Sequence, residues 1–253
     1  MFLRSLSFSS RLRVLSVAFW IGAVLVPAAK ASTFNIVSGF SGSSNPNGVW
    51  SYYYNLGSLT AYSPSTQSVS NLEGSGAAGW DDGLGEPDFT DIGVNNTGSN
   101  VGVCATCSIA PGYIFTDPEG IGTEIVFTAP LTGTYTISGS FIGADVDQNS
   151  HPVEILDDGS VVFSGTISAF SGAGSTAAFS FGESLNAGDT IAFEVLTGST
   201  GCSYCNLTTG LQGTITSGTS PVPEPGTLSL AALVLLVPAG MMLKRRFTFE
   251  GLR

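Results

Sequence analysis

An all-β fold, an antiparallel β-sandwich, is predicted for the middle of this 253-residue chain by three observations. Apolar residues alternate with polar ones at period two, Gly-rich turn signals separate the alternating runs, and no stretch of the middle shows convincing helical periodicity. Tyr135, Ile137 and Phe141 alternate with Thr134, Thr136, Ser138 and Ser140, and Ile191, Phe193 and Val195 with Ala192, Glu194 and Leu196. Such strands bury one face and wet the other. Leu131-Thr132-Gly133, Asp157-Asp158-Gly159 and Asn186-Ala187-Gly188-Asp189 supply the positive φ that tight turns need. Val153 to Leu156 and Val161 to Phe163, joined through Asp157-Asp158-Gly159, form the clearest hairpin. The Gly- and Asn-rich region from Asn71 to Gly102 reads as a long excursion from one end of the sandwich.

Charge is distributed unevenly. Lys and Arg occur only at the ends, at Arg4, Arg11, Arg13 and Lys30 and at Lys244, Arg245, Arg246 and Arg253, whereas every acid but Glu250 lies between them. Without clustered cations the middle cannot displace counterions from a nucleic-acid backbone, so nucleic acid is excluded as a partner. Phosphorylated cofactors are disfavoured for the same reason. The recurring Val, Ile, Leu and Phe exclude a disordered coil.

Both ends read as transport signals. Residues 1–31 have basic Arg4, Arg11 and Arg13, an apolar run from Val14 to Val26, and Ala29-Lys30-Ala31 with small residues where a signal peptidase cuts, before Ser32. The alternative is an uncleaved anchor, for which the apolar run is short. After the sandwich at 32–215, a Ser/Thr/Pro stalk at 216–225 ends in Val222-Pro223-Glu224-Pro225. The uncharged run 226–243 follows, and at about 1.5 Å per residue a helix of that length reaches roughly 27 Å, enough to span a bilayer. Lys244, Arg245 and Arg246 open the basic tail 244–253, which belongs on the cytoplasmic side.

The order Val222-Pro223-Glu224-Pro225, one transmembrane helix and an Arg-rich tail resembles the PEP-CTERM sorting signal of exported proteins in Gram-negative bacteria that make extracellular polysaccharide. The resemblance covers about the last thirty residues. It implies recognition of Pro223, Glu224 and Pro225 by exosortase, a membrane-embedded transpeptidase-like protease, and an inner-membrane intermediate on the way to the cell surface or extracellular matrix. A tail that runs past the basic triplet to Arg253 and includes Glu250 departs from the pattern. The segment Thr123 to Phe193, through Ala129-Pro130-Leu131-Thr132-Gly133-Thr134-Tyr135, Gly139-Ser140-Phe141, Gly143-Ala144-Asp145 and Ala187-Gly188-Asp189-Thr190-Ile191, resembles the jelly-roll, carbohydrate-binding-like domains found ahead of this signal. Asn45-Pro46-Asn47-Gly48-Val49-Trp50-Ser51-Tyr52 is similar to their opening strand. A jelly-roll-like sandwich flanked by an N-terminal signal helix and a C-terminal transmembrane helix is the fold so implied; a fold by itself assigns no ligand.

Cys104-Ala105-Thr106-Cys107 and Cys202-Ser203-Tyr204-Cys205 are two Cys-x-x-Cys pairs. Export favours disulfides, with zinc the alternative, and local and crossed connectivities both remain open. His151 is the only imidazole, sits before Pro152 at a hairpin mouth, and reads as a solvated loop residue. With no Gly-x-Ser-x-Gly and no His-Glu-x-x-His, only paired carboxylates offer catalysis, as in a polysaccharide hydrolase. The chain therefore reads as a non-enzyme.

Two ligand hypotheses follow from residue type. Asp145-x-Asp147-x-Asn149 has the spacing that opens a calcium loop, weighed against solvated acids that keep the chain soluble. Trp50, Tyr52 and Tyr54 share one side of a predicted strand and form either a platform for sugar rings or part of the core, with Trp80 equally open. The reading is of an exported surface or matrix protein that binds extracellular polysaccharide without catalysis. The alternatives are a secreted hydrolase and a calcium-dependent adhesin.

Overall fold

The computed structural model describes residues 31–72, 74–83, 90–118, 120–197 and 206–218. The chain divides into a unit spanning Ala29–Pro223 and a second made of Met1–Ala28 with Glu224–Arg253. The signal segment to Lys30, the Val222–Pro225 motif, the run 226–243, the tail and the Cys202/Cys205 pair lie outside the described residues. Among the described residues no helix is long and apolar enough to cross a membrane, and the named elements are all strands.

The strands are β1 (Thr33–Asn35), β2 (Trp50–Tyr54), β3 (Thr60–Ala61), β4 (Ser68–Leu72), β5 (Ala77–Asp81), β6 (Asp91–Val94), β7 (Ile114–Asp117), β8 (Thr123–Thr128), β9 (Gly133–Gly143), β10 (His151–Asp157), β11 (Ser160–Ile167), β12 (Thr176–Leu185), β13 (Thr190–Val195) and β14 (Thr209–Ser217). They pair antiparallel throughout and form two sheets. The larger runs β12-β9-β14-β7-β6-β5-β4, with β1 also on β14; the smaller runs β11-β10-β13-β8-β2-β3. The expected antiparallel β-sandwich is what the described residues form. Its last strand ends at Ser217 instead of residue 215.

Period-two burial makes the core. Tyr135, Ile137 and Phe141 of β9 are buried while Thr134 and Thr136 are exposed, and Ile191, Phe193 and Val195 of β13 are buried facing them in the same cluster. Phe127 lies 5.1 Å from Phe34, 5.4 Å from Trp50 and 5.8 Å from Tyr135 by ring centroids. Phe179 collects Phe141, Phe163 and Phe193 at 5.6, 5.7 and 5.8 Å. These offset and edge contacts suit aromatic quadrupoles and bury large rings on the inner faces. The hairpin β10–β11 closes through Asp158 (φ 44°) and Gly159 (φ 79°), a two-residue turn whose twist matches its strands.

The Asn71–Gly102 excursion is corrected: it supplies the end of β4, all of β5 and β6, and part of a cover. All four residues of β6 and of β7 are buried, because the segment 95–113 folds over their outer side around Leu72, Val101, Val103, Ile109 and Phe115. Strands covered on both faces lose alternation, and β6 also carries Gly93. Gly79, Gly93 and Phe115 stand in one cross-strand row, and a Cβ on Gly93 would meet the Phe115 ring at 2.3 Å. The inner face repeats the device with Gly213, Gly139 and Phe179. In both rows glycine leaves room for a ring to lie across the neighbouring backbone.

A Cβ at Gly139 would meet Gln212 O at 2.2 Å and Phe179 Cζ at 2.7 Å, whereas nothing lies within 4 Å of one at Gly133 in the same strand. Gly139→Ala should lose about 1–3 kcal/mol in urea unfolding, and Gly133→Ala should stay within about 0.5 kcal/mol. Equal losses would contradict the role given to the glycine row.

Candidate functional site

The aromatic row is core. Trp50 pairs across from Phe127 and Tyr52 from Ile125, so their rings point between the sheets, where Trp50 is 3 % and Tyr52 0 % exposed. Trp80 is 0 % exposed and donates its indole N–H to Ser41 O at 2.8 Å. Tyr54 is half-buried against Tyr62 at 4.8 Å, and its hydroxyl accepts from Gln67 Nε2 at 3.1 Å. The platform reading of Trp50, Tyr52 and Trp80 is therefore corrected: the strand register puts them inside, and no ring face remains for a sugar.

An open groove lies instead on the outer side of the larger sheet. About 570 Å³ in volume, it is bounded by Asn35 and Ser38 after β1, by Asn96 and Gly112 of the covering segment, and by Ser138, Gln212 and Thr214 of β9 and β14. The cleft exists because β14 pairs with β1 at residues 214–216 and with β7 at 209–211, leaving Gln212 and Gly213 between the two neighbours. Beyond it the outer face is hydroxyl-rich: Ser180, Ser138, Thr214 and Asn35 stand in one cross-strand row, and Thr136, Thr216 and Thr33 in the next. The groove's polar side chains are all uncharged amides and hydroxyls, able both to donate and to accept.

Carboxylates are aligned in two rows. Asp81, Asp91 and Asp117 face one another across β5, β6 and β7. Asp82 accepts the Thr90 N–H at 2.9 Å, and Asp117 accepts the Thr208 hydroxyl at 2.8 Å. Burial, followed by the charges of Asp91, Asp82 and Asp81, holds the Tyr62 phenol well above its ordinary range. On the smaller sheet the outer row is Tyr53, Glu124, Glu194 and Glu154. Glu124 is 5 % exposed, and among the described residues its Oε2 has no hydrogen-bond partner. Burial first and the adjacent Glu194 second push its carboxyl up to about 7, while burial and Glu154 raise Glu194. A carboxyl so placed holds a proton that an exposed one would have lost.

The Asp145, Asp147 and Asn149 triplet is a braced turn. Asp145 is 1 % exposed; its Oδ1 accepts the Asp147 N–H at 2.8 Å and its Oδ2 the Thr106 hydroxyl at 3.1 Å, whereas Asp147 and Asn149 are exposed. This is an Asx turn with its carboxylate directed inward, in place of the expected open ring of calcium oxygens. Cys104 and Cys107 are bridged to each other, which selects the local connectivity for that pair. Their sulfurs lie 3.7 and 3.8 Å from Asp145 Oδ2. His151, read from sequence as a solvated loop residue, is the first residue of β10 and 1 % exposed. Its Nδ1 lies 3.0 Å from Asn149 O and its Nε2 2.7 Å from Thr209 Oγ1, and burial lowers its pKa.

No protein-family model matches the chain, and no curated protein matches it. Solved structures resemble it in part. A family 35 carbohydrate binding module from Clostridium thermocellum has a TM-score of 0.28 and 14 % identity, over 50 % of this chain and 86 % of that one. The CBM51 module from Clostridium perfringens GH95 in complex with methyl-galactose has 0.30 and 16 %, over 44 % and 73 %. A cleaved adhesin domain of Lys-gingipain from Porphyromonas gingivalis has 0.36 and 10 %, over 75 % and 99 %. Likeness at these scores assigns neither a family nor a ligand to this chain.

Because folding raises the Glu124 pKa from 4.5 to about 7, the folded state holds the extra proton between those values. The stabilisation is complete below the lower value and is lost as pH rises through the upper one. His151 works in the opposite sense, costing stability as pH falls below 6.5. Glu124→Gln should therefore remove a decline in melting temperature between pH 4.5 and 7, and gain on the order of 2 kcal/mol above it. Parallel profiles for the two proteins would refute the buried proton.

Proposed function

We propose that this chain is an exported surface or extracellular-matrix protein that associates, without catalysis, with extracellular polysaccharide through the groove between β1 and β7. The observation that carries the reading is the groove's chemistry: uncharged amides and hydroxyls from Asn35, Ser38, Asn96, Ser138, Gln212 and Thr214 within an otherwise acidic domain. Sugar hydroxyls donate and accept in turn, and groups that do both match them without the cost of burying a charge. Val37 adds an apolar surface for the C–H side of a ring. With no Lys or Arg between Ala31 and Lys244, the domain has nothing to pair with uronate or sulfate groups, which favours a neutral glycan.

Export and sorting rest on the sequence of the two ends. The Ala29/Ala31 processing site delivers the chain across the inner membrane, and the Val222–Pro225 motif, the run 226–243 and Lys244-Arg245-Arg246 hand it to an exosortase-like protease that releases it to the surface of a Gram-negative cell. A second reading, a polysaccharide hydrolase, has one observation in its favour: the adjacent Glu124 and Glu194, both with raised pKa values. Neither glutamate lines the groove, and Glu124 is buried.

Two outcomes test this. In affinity electrophoresis through neutral polysaccharides, the processed protein should be retarded without releasing reducing ends, and Asn35→Ala with Gln212→Ala should weaken retardation about tenfold. Reducing ends that vanish in Glu124→Gln would establish the hydrolase instead. Replacing Pro223, Glu224 and Pro225 by Ala should leave full-length chain in the inner membrane on immunoblots of fractionated cells; unchanged release would overturn the sorting assignment.

A further inference from the structure

We propose that Cys104, Cys107 and Asp145 form a redox-gated site for a thiophilic divalent cation, with Zn²⁺ the best fit: closed as a disulfide when oxidised, and metal-binding once a dithiol has reduced it. The three side chains offer Cys104 Sγ, Cys107 Sγ and a carboxylate oxygen, all within 4.8 Å of one another. The two sulfur-to-Oδ2 distances, 3.7 and 3.8 Å, are near the roughly 3.5 Å edge that a tetrahedral zinc with S and O ligands would impose. Only the sulfur-to-sulfur edge is wrong, because the bridge holds it short. Cleaving that bond lets the sulfurs separate to the third edge of the same tetrahedral face, leaving the fourth position open to solvent.

The arrangement does not depend on the bridge. Cys107 and Asp145 pair as an isolated antiparallel β-bridge, Ser108 N–H donates to Ala144 O at 2.7 Å, and Val146 N–H donates to Thr106 O at 3.0 Å. These backbone bonds keep the Cys-x-x-Cys turn against the carboxylate whether the sulfurs are joined or free. Asp145 Oδ1 is held by the Asp147 N–H, and Oδ2 receives the Thr106 hydroxyl while keeping a second lone pair for a metal. Such outer donors orient a ligating carboxylate. Charge does not oppose the exchange: a divalent cation with two thiolates and the Asp145 carboxylate carries one net negative charge, the same as that buried carboxylate beside a neutral disulfide, while the cation gives the carboxylate a direct positive partner. Thiolates select a soft cation over calcium.

Cys104 lies at the surface, so an external thiolate can reach its sulfur. In the reduction, the dithiol gives two electrons and two protons to the bridge: the S–S bond breaks, two thiols form, and the dithiol becomes a disulfide. Metal binding then releases one proton from each thiol to solvent as the two S–metal bonds form.

The test uses the full chain with Cys202→Ser and Cys205→Ser, so that only the Cys104/Cys107 pair is read. After reduction with a phosphine, Co²⁺ titration should give a thiolate-to-cobalt charge-transfer band and tetrahedral d–d bands at one ion per chain, and Zn²⁺ should displace them. The oxidised protein should give none. Asp145→Asn, which keeps the side-chain volume, should weaken Co²⁺ binding about tenfold and leave the far-ultraviolet β spectrum unchanged. The proposal is overturned if reduced, folded protein shows no charge-transfer band, if the band survives Cys104→Ser, or if the oxidised protein binds equally well.

Discussion

The stretch of chain that builds the folded domain buries carboxylates while supplying no lysine or arginine of its own. Asp82, Asp91, Asp117, Glu124 and Asp145 are all buried, and between Ala31 and Lys244 the sequence has no fixed cation. A buried charge left uncompensated costs several kcal/mol in a low-dielectric interior, on the order of a protein's whole stability. Neutral donors and protons contribute to that compensation. Thr90 N–H serves Asp82, the Thr208 hydroxyl serves Asp117, and the Asp147 N–H and Thr106 hydroxyl serve Asp145. Glu124, beside Glu194, keeps its proton up to about pH 7.

That solution shapes the sheets. Hydroxyl and main-chain donors reach only short distances, so a buried acid must sit where a strand end or a turn brings one close, and the buried acids of the larger sheet, Asp91 and Asp117, lie at the start of β6 and the end of β7. Like charges directly opposite on neighbouring strands repel, which adds to the demand for close donors. The covering segment 95–113 then seals the outer side of β6 and β7 with Val101, Val103 and Ile109. It stops at Asn96 and Gly112, and past that edge the same sheet face is bare and lined by Ser and Thr. Groove and acid cluster are two consequences of one partly covered sheet.

How much of this was legible in the sequence depended on how many faces a strand buries. β9, β13 and the β10–β11 hairpin are buried on one face, so period two and the Asp158-Gly159 turn revealed them. β5, β6 and β7 were hidden: burial on both faces removed the alternation of β6 and β7, and Gly79 of β5 and Gly93 of β6, needed beside Leu72 and the Phe115 ring, read as loop residues. Period two correctly put Trp50 and Tyr52 on one side of a strand but could not tell which side, since that depends on pairing with β8. His151 looked solvated because only Thr209 and Asn149, brought in by the fold, show its ring to be enclosed. The groove has no local signature at all, because Asn35, Asn96, Ser138 and Gln212 meet only in the folded chain.

The same absence of cations that strains the interior also bears on what the surface can hold. A field that is negative over most of the domain repels polyanions at distances up to a Debye length, roughly 8 Å in physiological salt. Inside that distance a partner must meet surfaces that neither repel it nor demand charge neutralisation, and the hydroxyl face with its groove is such a surface. Under the proposed function, the net negative charge of the domain would act by exclusion, turning away charged polymers more than it attracts neutral ones. Selectivity of that kind needs no aromatic platform, which agrees with Trp50, Tyr52 and Trp80 being committed to the core, where they hold the two sheets together.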